Sequence, residues 1–576
     1  MIWVIQHHQL LEREKRAIED LIDEETWFHA NDWSINQKTQ LCFNFSIQLD
    51  NENIELQLIY PDTYPYIPPQ IKPKSPQRLS SHQYSASGEL CLEIRTDNWL
   101  DTYTAADLIK NAYKLLKMEG LKYSKPTLSI PDAHCVSIGQ KTRQLTFRFH
   151  VPQKTIKQIN ILPLNSITKA SFSIKSCQNK FAYELTSIGE KDAPIYSTGD
   201  QDLLTIKYDG WVIKNPRLKN SKGPHDDISF ESLSEYFEEN GCACLLKELH
   251  CIKGTVILLF ETSEGWTCVS ISLNTKNQTS VLFQDIIEEP EINNRLGITN
   301  TQTKKVGIIG CGSLGSKVAA SLARSEVSNF ILVDDDILFE DNLVRHDLDS
   351  SFTGFHKVDA LKERIFKIQP EAKVTSYAIQ LGGQESSAYT NTVLTALTKC
   401  DIIIDATASP TAFNLCGSIA AQNSIQFFWA EIFEGGIGGF IGGLHPQSAP
   451  TPLQARNQIH NWLTKNAPKW ESTSQSKYPY ETLQDNEAPL IANDANVSVI
   501  ASHLTCMILD SFLPPGERQY HSQAYLIGMR SSWIFAQPFD TIPINLTQEG
   551  EWGTNPISSD LTKTFQFINK VIQNDS

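Results

Sequence analysis

Two stretches of this 576-residue chain carry residue types and spacings that can do chemistry. The first is Gly310-Cys311-Gly312-Ser313-Leu314-Gly315, entered directly from the apolar run Val306-Gly307-Ile308-Ile309. A short buried strand that feeds a glycine turn and then a helix over 316–323 offers free backbone N–H groups to phosphate. Asp334 ends the next apolar run, Phe330 to Val333, where a carboxylate takes ribose hydroxyls. Asp336, Asn342, Arg345 and Lys357 follow in that order. A dinucleotide oxidoreductase has no need of those cations just beyond its ribose acid. A site that splits ATP between its α and β phosphates does, because charge builds on the departing pyrophosphate. The second stretch is Ser87-Gly88-Glu89-Leu90-Cys91-Leu92-Glu93. A thiolate attacks acyl groups readily, and its thioester stays activated toward an amine.

Three textures surround these residues, and they divide the chain at 1–125, 126–292 and 293–576. In the first, Leu10, Leu11, Ala17, Ile18, Leu21 and Ile22 recur at helical spacing. Leu41, Phe43, Phe45, Ile47 and Leu49 then alternate as a half-buried strand does, and Ile54, Leu56 and Leu58 resume the pattern after a polar turn. Tyr60 to Pro69 is proline-rich and excluded from central strand or helix, and a helical pattern from Thr104 to Leu116 closes the region. The second texture is strand-rich and poor in motifs, which suits a connecting or docking domain. The third alternates strands (306–309, 330–333, 401–405) with helices and reads as a doubly wound parallel sheet.

Composition narrows the class. A net charge of −16 speaks against gripping nucleic acid or an anionic membrane, and no apolar run is long enough to cross one. Twelve scattered cysteines make no disulfide framework, so a reducing cytoplasm is expected. Cys242, Cys244, Cys251 and Cys268 are the one group of thiols that could hold metal; buried thiols are the plainer reading.

At Gly310–Gly315, Asp334-Asp335, Asn342-Leu343-Val344-Arg345 and Gly354-Phe355-His356-Lys357, the third region resembles the ThiF/MoeB-like adenylating domain of ubiquitin-activating enzymes and of enzymes that activate sulfur carriers. The likeness covers roughly 295 to 515. It implies ATP and Mg2+, acyl-adenylate formation on a protein C-terminal carboxylate, and a homodimer. Asp334 would bind ribose, with Asn342, Arg345 and Lys357 on the phosphates. The family's magnesium-binding aspartate falls at Ala408, which leaves Asp405, or an acid from elsewhere, as the metal ligand. A thioester-forming cysteine is absent from His445 to Pro489, and Cys416 and Cys506 both sit in apolar helical patterns.

Residues 5 to 120 are similar to ubiquitin-conjugating domains at Tyr64-Pro65-Tyr66-Ile67-Pro68-Pro69, at Gly88 to Leu92 around Cys91, and at Trp99, eight residues after that cysteine. The family's His-Pro-Asn triplet is missing, with His82-Gln83-Tyr84 near its place. The combination resembles fused bacterial activating–conjugating enzymes, including those of cyclic-oligonucleotide antiphage operons. It implies direct acyl transfer to Cys91 and then to lysines of a target protein. The donor would be a ubiquitin-like protein or the C-terminus of a cyclic-nucleotide synthase. Sulfur-carrier activation, or a binding module with an inactive conjugating domain, would keep part of the pattern.

Overall fold

The computed structural model describes residues 2–49, 52–77, 79–80, 82–84, 88–119, 139, 146–197, 206–214, 230–249, 254–262, 265–273, 279–289, 301–467, 492–550, 552 and 561–574. The chain divides into two compact units, Met1–Leu145 and Thr146–Ser576.

The first unit begins with α1 (Ile2–Gln6) and α2 (His8–Glu24). β1 (Phe28–Ile35), β2 (Leu41–Leu49), β3 (Glu52–Ile59) and β4 (Gln70–Pro73) form an antiparallel meander in that order, and α3 (Ala105–Glu119) closes the unit. β2 is buried on both faces rather than one. Its polar side is sealed by side-chain hydrogen bonds: Asn44 donates to Ser34 at 3.1 Å and accepts from Gln57 at 2.9 Å. Satisfied in this way, an amide tolerates burial.

Glu14 is the unit's buried acid, fully shielded from solvent. Its carboxylate accepts from the hydroxyls of Tyr60 at 2.9 Å and Tyr64 at 2.7 Å, and from the backbone N–H of Ala105 at 2.7 Å. The acid therefore ties α2, the proline-rich segment and the N-terminus of α3 together, and an anion there also suits the helix dipole. Trp99 donates from its indole N–H to the Pro65 carbonyl at 2.7 Å, so this tryptophan and the proline stretch meet in space.

The second unit holds two sheets. The first contains β5 (Phe147–Val151), β6 (Ser166–Cys177), β7 (Lys180–Glu190), β8 (Ala193–Ser197), β9 (Ile206–Lys214), β10 (Thr255–Thr262), β11 (Gly265–Leu273) and β12 (Thr279–Glu288). Their order is β5-β12-β11-β10-β9-β6-β7-β8, and a β5–β7 pairing closes seven of them into a ring. Helices α4 (Gln153–Ile161), α5 (Phe230–Glu239) and α6 (Ala243–Leu249) accompany it. Cys268 packs in one apolar cluster of this sheet and Cys242 in another, while Cys244 is exposed. Cys242 and Cys268 thus lie in separate apolar clusters, and Cys251 lies outside the described residues.

The remaining elements are β13 (Lys305–Ile309), α7 (Ser313–Arg324), β14 (Asn329–Val333), α8 (Lys357–Ile368), β15 (Lys373–Tyr377), α9 (Ser387–Leu397), β16 (Ile402–Asp405), α10 (Pro410–Asn423), β17 (Gln426–Phe433), β18 (Gly438–Leu444), α11 (Pro452–Asn466), α12 (Asp494–Asp510), β19 (Ala524–Gly528), β20 (Thr541–Ile544) and α13 (Leu561–Asn574). The second sheet runs β15-β14-β13-β16-β17-β18-β19-β20. Its first five strands are parallel and its last three antiparallel. The sheet is therefore mixed, where the alternating pattern implied an all-parallel one. β18 escapes that pattern because it is buried throughout and rich in glycine, with no period-2 signal.

Candidate active site

Chain order reverses between β13 and β16, which places a crevice at the carboxyl ends of the parallel strands. The glycine turn fills it. Gly310 has φ +86°, and its N–H donates to the Val333 carbonyl at 2.9 Å. A Cβ on Gly315 would lie 1.8 Å from the Gly310 carbonyl oxygen, so the first helical turn sits against the loop as only glycine allows. Gly312, at the N-cap of α7, has open space around its Cβ position. That combination of a packed floor and an open mouth at a helix N-terminus suits a phosphate.

Asp334 stands just beyond β14. One of its carboxylate oxygens accepts from the Cys311 N–H at 2.6 Å and the other from the Asp336 N–H at 2.9 Å. Burial raises its pKa above the usual carboxylate value, against these hydrogen bonds and the nearby Lys357 charge. Lys357, buried at the start of α8, directs its ammonium onto the Asp336 carboxylate, and its own N–H donates to the Asp336 carbonyl at 2.9 Å. A bridge between Ile337 and His356 draws the two segments together. Asp334, Asp336, Lys357 and the glycine turn thus converge.

Asn342 uses its side-chain oxygen locally, accepting from the Phe339 N–H at 3.0 Å, so this oxygen caps the tight turn at 340–342. Arg345 follows, partly buried, with its N–H on the Asn342 carbonyl at 3.1 Å. The next residue, His346, was not singled out from the sequence. It is 7% exposed; its Nε2 lies 2.8 Å from the Cys311 carbonyl and its Nδ1 accepts from the Leu348 N–H at 3.2 Å. Those two partners fix the neutral tautomer with the proton on Nε2. The histidine joins the Arg345 segment to the glycine turn.

At the other lip, Asp405 ends β16 and is buried, with Oδ1 accepting from the Thr407 N–H at 3.0 Å and its hydroxyl at 2.6 Å. Burial raises its pKa. Ala408 lies three residues on with φ +54°. Glu431, on β17 two residues beyond the Asp405 partner Trp429, is a second acid that the sequence reading missed. Burial, then the Asp405 charge, push Glu431 up to about 7, with Arg456 opposing. The available signal was a lone acid after the apolar run Phe427 to Ala430. Cys416 is fully buried in α10 and its thiol is pushed up by burial, which removes it as a nucleophile. Cys506 is exposed on α12. Of the crossover segment expected over 445–489, residues 468–489 lie outside the described residues.

Cys91 belongs to the first unit. Its N–H donates to the His82 carbonyl at 2.8 Å, and the Tyr84 N–H donates to the Glu89 carbonyl at 2.9 Å. These bonds flank an antiparallel Gln83–Leu90 bridge. Gln83 ties the loop down: its amide donates to the Gly88 carbonyl at 2.8 Å and the Gln77 carbonyl at 3.0 Å, and accepts from the Leu79 N–H at 2.8 Å.

Comparison with known proteins finds similarity over this part of the chain. Residues 288–461 match the ThiF family. A Sinorhizobium fredii (strain NBRC 101917 / NGR234) protein, y4qC, is 23% identical over 425 residues, which span 69% of this chain and 72% of that protein. The ATP-dependent ubiquitin transferase-like protein Cap2 of Enterobacter hormaechei is 39% identical over 106 residues, 18% of this chain and 17% of its own length. The adenylyltransferase and sulfurtransferase UBA4 of Eremothecium gossypii is 30% identical over 127 residues, 22% of this chain and 27% of UBA4. The chain thus spans less than a third of the latter two relatives. The ThiF match falls on the strands and turn that build the crevice. Among the described residues no helix is long and apolar enough to cross a membrane.

Proposed function

We propose that this chain adenylates the C-terminal carboxylate of a protein, takes the acyl group onto Cys91 and delivers it to lysine amines of a target. The observation that carries the adenylation step is the convergence of the glycine turn, Asp334, Asp336 and Lys357 at the carboxyl edge of β13 and β14. The turn and the start of α7 would receive phosphates, and Asp334 the ribose. Lys357, displaced from Asp336, and Arg345 would stabilise charge on the leaving pyrophosphate while the donor carboxylate attacks the α-phosphorus. Among the described residues no three His, Cys, Asp or Glu gather to hold a metal. Asp405 and Glu431 instead suit a Mg2+ that arrives with nucleotide phosphates and keeps much of its water.

The ThiF match and the UBA4 likeness support adenylation, and the Cap2 likeness supports transfer to a protein acceptor. The pairing of Cys91 with His82 and the Trp99–Pro65 contact support the conjugating half. The donor in this reading is a ubiquitin-like protein or a cyclic-nucleotide synthase C-terminus, and the enzyme works as a cytoplasmic homodimer. The name of UBA4 favours a second reading, in which the adenylate feeds sulfur transfer.

Wild-type and Cys91→Ala protein, incubated with Mg–ATP and host extract and run on non-reducing gels, separate these readings. A thiol-sensitive heavier band in wild type alone supports the acyl-carrier role. Intact ATP–pyrophosphate exchange without that band favours sulfur transfer, and loss of both sinks the proposal.

A further inference from the structure

Two helices present their N-termini at the carboxyl edge of the parallel strands. α7 starts at the glycine turn. α12 starts beside the turn that follows β17, where the Asn496 amide donates to the Gly436 carbonyl at 2.9 Å. Val318 and Leu322 of α7 share an apolar cluster with Val497, Ala501 and Leu504 of α12, so the two helices pack alongside one another. At their heads, Lys317 of α7 directs its ammonium onto the carboxylate of Asp494, the first residue of α12, at 2.7 Å. Lys317 comes one turn after Ser313 and shares its face of the helix. Helical side chains lean toward the N-terminus, so the lysine stem runs back along α7 toward the open mouth at Gly312. Its charge reaches His346, whose ring sits on the Cys311 carbonyl of the same turn.

The pair repeats the arrangement of Lys357 and Asp336. In each, a shielded ammonium meets a half-exposed acid: the side chains of Lys317 and Lys357 are 13% and 9% exposed, those of Asp494 and Asp336 56% and 55%. Such a pair is weak, because water solvates the exposed partner almost as well as the lysine does. A polyphosphate brings several negative charges to the same ammonium, and the two helix N-termini add to its attraction. Resting on the nucleotide-site reading, we infer that Lys317 is a further phosphate-binding residue, whose ammonium leaves Asp494 for the triphosphate of ATP. Asp494 is then a competitor that the phosphates displace, and its carboxylate returns to water. The lysine keeps its proton throughout, so the exchange is of ion pairs alone.

The test is calorimetric binding of ATP, and of adenosine as the phosphate-free probe, to the full chain and its variants. Lys317→Met is expected to weaken ATP about tenfold, the worth of one hydrogen bond to a charged group, and to leave adenosine unchanged. Asp494→Asn is expected to act in the opposite direction and tighten ATP about two- to fivefold, because the competing pair is gone. That gain is expected to vanish when Asp494→Asn is combined with Lys317→Met. Unchanged ATP affinity in Lys317→Met overturns the inference. So does weaker binding in both single variants, which marks a pair that only braces the helices. A gain from Asp494→Asn that survives without Lys317 also overturns it, since the acid then acts on phosphate through space. If Lys317→Met does not fold, the sign of the Asp494→Asn effect decides. Wild type that binds neither ATP nor adenosine fails the nucleotide-site reading itself, a result distinct from wild-type binding that Lys317→Met leaves unaltered.

Discussion

The N–H of Cys311 donates to the Asp334 carboxylate at 2.6 Å, so the acid placed to take the ribose also anchors the glycine turn. Asp334→Asn keeps an acceptor there and Asp334→Ala does not. Both variants are expected to weaken ATP binding at least tenfold by calorimetry. Only Asp334→Ala is expected to lower the melting temperature by several degrees. Wild-type affinity in both would remove Asp334 from the nucleotide site.

Two glycines of the same turn separate folding from binding. A methyl on Gly315 collides with the Gly310 carbonyl, whereas one on Gly312 meets nothing within 4 Å. Gly315→Ala is expected to destabilise the second unit by about 2 kcal/mol or more, as overpacking does. Gly312→Ala, at φ −73°, is expected to melt like wild type yet bind ATP more weakly, because its methyl occupies the mouth reserved for phosphate. A Gly312→Ala protein with undiminished affinity would place the phosphates elsewhere.

Glu14 answers two tyrosine hydroxyls and one helix-end N–H in a water-free setting. Glu14→Ala strands all three donors and is expected to cost the first unit about 3 kcal/mol, read from urea unfolding of the full chain followed by tryptophan fluorescence. Glu14→Gln retains an acceptor oxygen and is expected to lose less. Equal losses would mean that packing volume, not hydrogen bonding, sets the effect.

Glu14 also shows where the sequence stops being legible. It sits among the charges of α2, and nothing in its spacing separates it from exposed Glu12. Its burial follows from Tyr60 and Tyr64, which approach from a distant segment. The glycine turn and Asp334 were legible because strand, turn and helix are adjacent in sequence, and local geometry dictates residue type there. The helix over 316–323 was placed three residues late at its start, because the glycine-rich turn hides the first helical residues at Ser313. Glu431 and His346 were not legible, since each acquires its neighbours only when the sheet forms.

His346 gives the pH prediction its sign. Burial pulls its pKa down to about 4, with Lys357 and Lys317 acting the same way and the Cys311 carbonyl and Asp347 opposing. The unfolded chain therefore binds a proton near pH 6.5 that the folded chain refuses until about pH 4. Within that window the unfolded state carries more protons, so stability falls as pH falls. His346→Gln can still donate to the Cys311 carbonyl and does not titrate. The stability of wild type relative to His346→Gln is expected to drop by on the order of 3 kcal/mol between pH 7 and pH 4, measured by denaturant unfolding at each pH. The contributions of His445, also near 4, and of Glu431, near 7, are common to both proteins and cancel in the difference. A difference that stays flat across the window would mean that the histidine takes up its proton at the same pH in the folded and unfolded chain, and the buried neutral tautomer that joins the Arg345 segment to the glycine turn would then be wrong.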